Sequence, residues 1–476
     1  MIIKEIATLD PVRVFESLKE RPFSFFLDSG MNPARLGRFS FLGSDPFLVF
    51  RSKGDRVGIW RNGAWQEKRG SPFLILKELV HQYRIPSSPP VPVTAGAFGY
   101  FAYDLGWQLE KLPDWAEDDL GLPDCYLGFY DRLVVVDHLT GKNYLTSTGL
   151  PESGAGAPVR ARRRLEELEA LITGCTPLPV REEESFPFGD VTKIQGHFTR
   201  ETYRRAVQRA KDYIAAGDIF QVNLSQRFAC PLAVSPWSLY RRLRRINPAP
   251  FAAYLNYPEA AVASASPERF LQVRNGVVET RPIKGTRRRG KNPAEDHHLR
   301  TELLNSAKDR AELVMIIDLE RNDLGRVCSF GSVHVPELIC LEEYATVFHL
   351  VSTVKGTLAP GKDLVDLLMA TSPGGSITGA PKIRAMEIIE ELEPVKRGIY
   401  TGSIGYLGFD GSADLNIVIR TFVIKDGTAY FQVGGGIVAD SDPDAEYWET
   451  IYKARALIRA LGYEEEDVEE CLALRG

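Results

Sequence analysis

Four two-residue turns constrain this chain more than any other feature: Asn62-Gly63, Asn275-Gly276, Asp410-Gly411 and Asp426-Gly427. A tight hairpin needs positive φ at its central positions, which Asn, Asp and Gly tolerate best. Short strands joined in this way run antiparallel. The hairpin about Asn275-Gly276 also carries reactive groups. Its outgoing strand starts at Ser266-Pro267-Glu268-Arg269-Phe270, and its return strand, Val277 to Thr280, runs on through Arg281-Pro282-Ile283 to Lys284. That path can bring the Glu268 carboxyl and the Lys284 amine together. Such a pair could supply a proton donor and a nucleophile. The alternative is a surface ion pair at a strand end.

The flanking sequence divides by pattern. Residues 1–148 alternate short strands and turns, with strand-like pieces at 23–29 and 38–43. A helix is expected over 72–83, where Leu76, Leu79 and Val80 share one face. Residues 149–195 read as a link: a Gly/Ala/Pro-rich start, a charged helix with Leu165, Leu168 and Leu171 inward, then a Pro/Glu-rich stretch over 177–190. The run Arg160 to Arg164 reads as a solvated helix face. Residues 196–462 form a second region and 463–476 a tail. Thr199 caps a helix with Tyr203, Ala206, Val207, Ala210 and Ile214 in one stripe, stopped by Gly217. Over 220–226, Phe220, Val222 and Leu224 face one way and Gln221, Asn223 and Ser225 the other, so the polar face is solvated or forms a pocket wall.

Composition narrows the class. The chain has 476 residues, 44% hydrophobic and 25% charged, enough for a large core. A net charge of −5 gives no reason to expect nucleic acid as a partner. No apolar run approaches a membrane span, and the start at Met1-Ile2-Ile3-Lys4 lacks the apolar stretch of a signal peptide. The six cysteines form no Cys-x-x-Cys pair and no zinc spacing, so free thiols in a reducing cytoplasm are expected. None sits in a Gly-x-Cys-x-Gly elbow, so no thiol nucleophile of the glutaminase kind is present.

Two further patterns bear on a ligand. Glu312 and Glu449 each follow another acid by one helical turn, Asp309 and Glu446. Such carboxylates suit a hard cation such as Mg²⁺ if they converge, and are solvated faces if they do not. The Gly374 to Gly379 loop runs into Pro381 at the expected first position of a helix, where free amides attract anions. Gly434-Gly435-Gly436 offers more exposed amides, or a tight bend. Two anion cradles, a cation and one lysine suit a small dicarboxylate better than a nucleotide.

These pieces together resemble the chorismate-utilising enzymes, across nearly the whole chain. The resemblance rests on Phe220-Gln221-Val222-Asn223-Leu224-Ser225, Ser266-Pro267-Glu268, Pro282-Ile283-Lys284-Gly285-Thr286, Asp318-Leu319-Glu320-Arg321-Asn322-Asp323-Leu324, Gly375-Ser376-Ile377-Thr378-Gly379-Ala380-Pro381-Lys382 and Glu446-Tyr447-Trp448-Glu449-Thr450. It implies an α+β fold of large antiparallel β-sheets packed as a sandwich with helices outside. Within the family the lysine of Pro-Ile-Lys-Gly-Thr resembles the aminodeoxychorismate synthase component I subgroup, where it is proposed to attack C2 of chorismate; anthranilate synthases carry alanine there. That subgroup makes 4-amino-4-deoxychorismate, a para-aminobenzoate and folate precursor. The other readings are anthranilate synthase component I and a non-catalytic subunit of the same fold.

The resemblance also implies roles. Glu268 matches the general acid/base and His349 the histidine beside the ring. Gln221, Ser376, Tyr400, Arg420, Gly434, Gly435, Gly436 and Lys453 match substrate contacts. Gln221 stands where water-adding relatives carry a lysine base, which disfavours hydration. Glu312 and Glu449 match ligands of Mg²⁺, with Asp309 and Glu446 behind them. Ammonia would come from a separate glutamine amidotransferase subunit, component II. Feedback-inhibited anthranilate synthases bind tryptophan between two segments that here read Phe26-Leu27-Asp28-Ser29 and Asn247-Pro248-Ala249-Pro250-Phe251-Ala252, so Ser29, Pro248 and Phe251 mark a possible tryptophan pocket. Lys284 must be neutral to attack, and at an ordinary pKa of ~10.4 only about one in a thousand is neutral near pH 7.4.

Overall fold

The turn residues adopt the backbone that their chemistry allows. Asn62 and Gly63, Asn275 and Gly276, and Asp426 and Gly427 all have positive φ; at 410–411 only Gly411 does. The hairpins they close belong to two 12-stranded sheets, every named pairing of which is antiparallel. The computed structural model describes residues 1–476 except 30, 88, 174–193, 345–346 and 464–476.

Both sheets take strands from both halves of the chain. The first runs from Ile2–Ile6 through Phe25–Asp28 and Phe251–Asn256 to Thr428–Ile437 and Gln221–Pro231. The second runs from Ile283–Arg288 through Val347–Thr357, Val277–Arg281 and Arg269–Arg274 to Gly96–Phe101 and Leu48–Lys53. The regions expected at 1–148 and 196–462 are thus joined in both sheets. Residues 1–148 supply one end of each sheet, meeting the later strands where Phe25–Asp28 pairs with Phe251–Asn256 and Gly96–Phe101 with Ser403–Gly408.

The sheets face each other across an aromatic layer. Phe25 stacks on Phe98 at 4.5 Å between centroids, and Phe98 on Tyr406 at 5.3 Å. Helices cover the outer faces. Arg200–Ala215, Pro236–Ile246 and Pro443–Ala460 pack on the first sheet, and Pro72–Gln82 and Ala307–Gly325 on the second. This is the expected sandwich with helices outside. No helix among the described residues is long and apolar enough to cross a membrane. Cys125, Cys328 and Cys340 are free thiols; Cys175 and Cys471 lie outside the described residues.

The charged helix of the expected link forms over Gly156–Thr173 and buries Leu165 and Leu168 in the core; Leu171 is partly buried beside them. The Pro/Glu-rich stretch 177–190 lies outside the described residues, as does the tail beyond Tyr463. The basic run is not a wholly solvated face. Arg162 and Arg163 are exposed, but Arg164 reaches Asp131 at 2.8 Å and Arg160 approaches it at 3.6 Å. Asp131 is 0% exposed, so its charge depends on these two arginines. Asp131→Ala leaves both without their buried partner and is expected to lower stability by roughly 3 kcal/mol in equilibrium denaturation. A loss equal to that of an exposed charge deletion would refute the buried pairing.

Candidate active site

The hairpin does what its turn predicted. Arg269 pairs with Arg281, which sets Glu268 beside the start of the next strand. There the Ile283 N–H donates to the Glu268 carboxylate. Val277–Arg281 and Ile283–Arg288 both pair with Val347–Thr357, so the chain continues along one neighbour past Pro282. The register slips between Lys284 and Thr286, at Gly285. Gly285 has φ +80°, and a Cβ there would stand 2.9 Å from both Asp309 and Leu303. Glycine thus lets this bulge press against the Ala307–Gly325 helix, and the bulge re-aims Lys284 into a cavity.

That cavity is about 920 Å³ and is lined by Glu268, Lys284, Glu312, His349, Arg420 and Glu449, among others. Glu268 is 5% exposed and accepts from the Ser376 hydroxyl at 2.7 Å. Burial pushes its carboxyl up, against the Ser376 hydroxyl, the Lys284 charge and the Ile283 N–H. Burial pushes the Lys284 ammonium down and Lys453 adds to this, while Glu312, Glu268 and Glu449 oppose it. The Lys284 amine makes no hydrogen bond or ion pair among the described residues. His349 accepts from or donates to Thr286 Oγ1 at 2.8 Å. Burial and the Arg420 charge push its imidazole down to about 3, so the ring is neutral near pH 7.

The carboxylates converge from two helices. Asp309 is held by Arg287 at 3.1 Å and Glu446 by the Ser441 hydroxyl at 2.6 Å. Glu312 has no such partner among the described residues, and Glu449 shares one oxygen with Lys453 at 2.7 Å. The Lys453 ammonium holds Glu449 below its ordinary value. Burial pushes Glu312 up, with Asp309 and Glu449 adding to it. Among the described residues no three carboxylate, histidine or cysteine side chains form a complete metal cage. Hard oxygen donors on a cavity wall, with Glu312 outside any ion pair among the described residues, fit Mg²⁺, which keeps waters and takes substrate oxygens.

The glycine run is no bend but the closing part of a strand. Gly434, Gly435 and Gly436 lie within Thr428–Ile437, opposite Ser225, Leu224 and Asn223. On its other edge that strand pairs with Thr421–Lys425 only up to Phe431. Beyond Phe431 this edge opens towards the cavity, and the Gly434 carbonyl accepts from Lys453 at 2.9 Å. Gly434 and Gly436 line the cavity; Gly435 faces Glu446, Glu449 and Lys453.

Other expectations are redirected. Gln221 does not line the cavity: it is fully buried behind Gly436, where an added Cβ would come within 2.3 Å of its amide nitrogen. The Gly374 to Gly379 loop is no anion cradle at a helix start. Gly375–Ile377 forms a 3₁₀ turn, Gly379–Ala380 pairs with Gln221 and Val222, and Pro381 precedes the helix Lys382–Leu392 rather than opening it. The loop's contribution is the Ser376 hydroxyl. Tyr400, Arg420 and Lys453 all line the cavity. Ser29 and Phe251 line a separate small cavity between the sheets, whereas Pro248 is not on its wall.

Sequence reasoning missed Arg397. It is 4% exposed and forks onto Glu393 at 2.9 and 2.7 Å. It also donates to the carbonyls of Asn223 at 2.6 Å and Ile377 at 3.0 Å. Glu393 in turn accepts from the Ser225 amide and hydroxyl. This clamp joins the strand at 221–231 to the loop that carries Ser376. It lies beyond the end of a helix, so no helical spacing announces it.

Comparison with known proteins agrees with this geometry. The family model described as chorismate binding enzyme matches residues 42–459. The anthranilate synthase component 1 of Thermus thermophilus is 46% identical over 454 residues, covering 95% of each chain. That of Acetivibrio thermocellus is 42% identical over 458 residues, covering 95% of this chain and 92% of that protein. These relatives are named for anthranilate, not for the aminodeoxychorismate expected from Lys284. The crystal structure of anthranilate synthase component I from Streptococcus pneumoniae TIGR4 superposes with a TM-score of 0.78 at 36% identity, covering 88% of this chain and 91% of that one. The menaquinone-specific isochorismate synthase from Escherichia coli shares the fold at 19% identity, with a TM-score of 0.71 and coverage of 97% and 94%. The chain belongs to the chorismate-binding enzyme family.

Proposed function

We propose that this chain aminates chorismate and delivers the nitrogen to C4, giving 4-amino-4-deoxychorismate. The observation that carries this reading is the Lys284 amine, aimed into the cavity without a partner and pushed towards its neutral form by burial. Neutral Lys284 adds at C2 while Glu268 gives its proton to the C4 hydroxyl, which leaves as water. Ammonia then adds at C4, the C2–nitrogen bond breaks, and Lys284 leaves as the free amine. The proton lost by the new ammonium returns to Glu268. Each turnover consumes chorismate and ammonia and yields product and water. The enolpyruvyl ether is untouched. Glu312 and Glu449 would hold Mg²⁺, which when bound polarises the ring carboxylate. Arg420 and Tyr400 would face the second carboxylate.

Whole-chain similarity to proteins named anthranilate synthase supports a second reading, in which the product is anthranilate. Both readings use the same cavity, acid and carboxylates and part only at Lys284. Whole-chain similarity reports the scaffold, whereas product choice rests on the atoms at C2 and C4. We also propose that nitrogen reaches the chain from a separate glutamine amidotransferase.

Chromatography of the product from chorismate, ammonium and magnesium separates the readings. 4-Amino-4-deoxychorismate without released pyruvate is expected, and glutamine alone should not replace ammonium. Anthranilate with pyruvate would establish the second reading. Lys284→Ala should slow C4 amination by about 100-fold or more; full C4 amination by Lys284→Arg would remove the nucleophile role, because arginine stays charged.

Ser376→Ala tests the general acid. The hydroxyl stabilises the ionised Glu268, so its loss raises the Glu268 pKa further. The reaction needs protonated Glu268, so the high-pH limb of the kcat/KM profile should move to higher pH. Turnover should also fall by roughly 10-fold as the carboxyl loses its anchor. An unmoved limb would place the acid elsewhere.

Glu449→Gln removes one anionic donor and keeps the shape. Its magnesium requirement for half-maximal turnover should rise by about 10-fold or more, with an unchanged circular dichroism spectrum. An unaltered magnesium dependence would move the cation to other residues.

A further inference from the structure

The chain has a net charge of −5, yet its catalytic cavity is lined by nine Lys or Arg side chains and four carboxylates. These cations are not equivalent. Lys284 and Arg420 sit inside, facing Glu268. Arg287 and Arg288 are neutralised by Glu302, Asp309 and Glu295 at 2.5–3.1 Å. Lys308 and Arg459 differ from both groups. Both are exposed, both line the cavity, and neither has an ion pair within 4 Å among the described residues, although the Lys308 charge acts at longer range on Glu312, Glu446 and Glu449.

Lys308 is also badly placed for its own helix. It is the second residue of Ala307–Gly325, where the positive end of the helix dipole disfavours a cation. Arg459 comes from the last turn of Pro443–Ala460, on the other helix that walls the cavity. One exposed cation thus stands on the cavity wall from each of two helices. Two exposed cations on such a wall raise the local concentration of a small anion and act over a Debye length.

We propose that Lys308 and Arg459 form an outer recognition point, the first contact of a small dicarboxylate before it reaches Lys284 and Arg420. This rests on the reading above that the occupant is chorismate. Neither residue touches the reacting atoms; both act on capture.

The test is steady-state turnover of chorismate with saturating ammonium and magnesium, across ionic strengths at which the Debye length falls from roughly 30 to 8 Å. In the parent protein, KM for chorismate should rise with salt. Lys308→Gln combined with Arg459→Gln should raise KM by roughly 3- to 10-fold at low salt and flatten its salt dependence. The loss should appear in KM and not in kcat, and Lys308→Arg with Arg459→Lys should restore the parental slope. A parental salt dependence in the glutamine double variant, or a fall in kcat at unchanged KM, would overturn the inference. Calorimetric titration of the parent with chorismate tells the two failures apart. No binding and no turnover by the parent would sink the amination reading itself; a functional parent matched by its mouth variant would sink only this one.

Discussion

Desolvation of an acid at the start of one strand and an amine on another strand of the same sheet is the constraint on which this site depends. Taking Glu268 out of water favours its protonated form, and taking Lys284 out of water favours its neutral form. Both shifts run towards the chemistry proposed. Each group's charge opposes the other's shift, so both shifts persist only while burial outweighs that attraction. The Glu268 carboxyl is therefore held from several directions: by Ser376, by the Ile283 amide and by the charges of Lys284 and Arg420. Those anchors come from a 3₁₀ turn, a strand and a loop residue at φ +53°.

Holding such distant segments in register is the work of the two shared sheets. The bulge at Gly285 is fixed by the helix behind it, and the open edge after Phe431 by the early end of its neighbour strand. The Arg397–Glu393 clamp ties the wall at 221–231 to the Ser376 turn. A buried ion pair of this kind adds little net stability, because desolvation offsets attraction, but it penalises every misplaced arrangement. Here it fixes where the cavity wall stands relative to the acid.

The same geometry explains how one scaffold can serve more than one product. Glu312 and Glu449, Glu268 and Arg420 line one cavity on the fold that the family shares. Lys284 is a single side chain on that frame, and on the proposed reading changing it would alter which ring carbon a nitrogen meets without touching the core. Similarity over the whole chain and identity at one position can therefore point to different products.

Much of this protein was legible in its sequence. Turn chemistry is local, so Asn275-Gly276 announced the hairpin, and the hairpin announced the approach of Glu268 to Lys284. The acid pairs were legible as Asp309 with Glu312 and Glu446 with Glu449, because helical spacing is also local. Three things were not. The sharing of both sheets by residues 1–148 and 196–462 was one, since strand partners far apart in sequence leave no mark on composition. Gln221 shared the polar face of its strand with Asn223 and Ser225, but packing behind Gly436 shut it out of the cavity. Arg397 went unread, because its partners Glu393, Asn223 and Ile377 gather from three segments. Sequence alone determined which reactive groups this chain carries and which turns bend it. Only the tertiary structure decided which of those groups lose their water together, because burial depends on the whole surrounding shell and not on the neighbours along the chain.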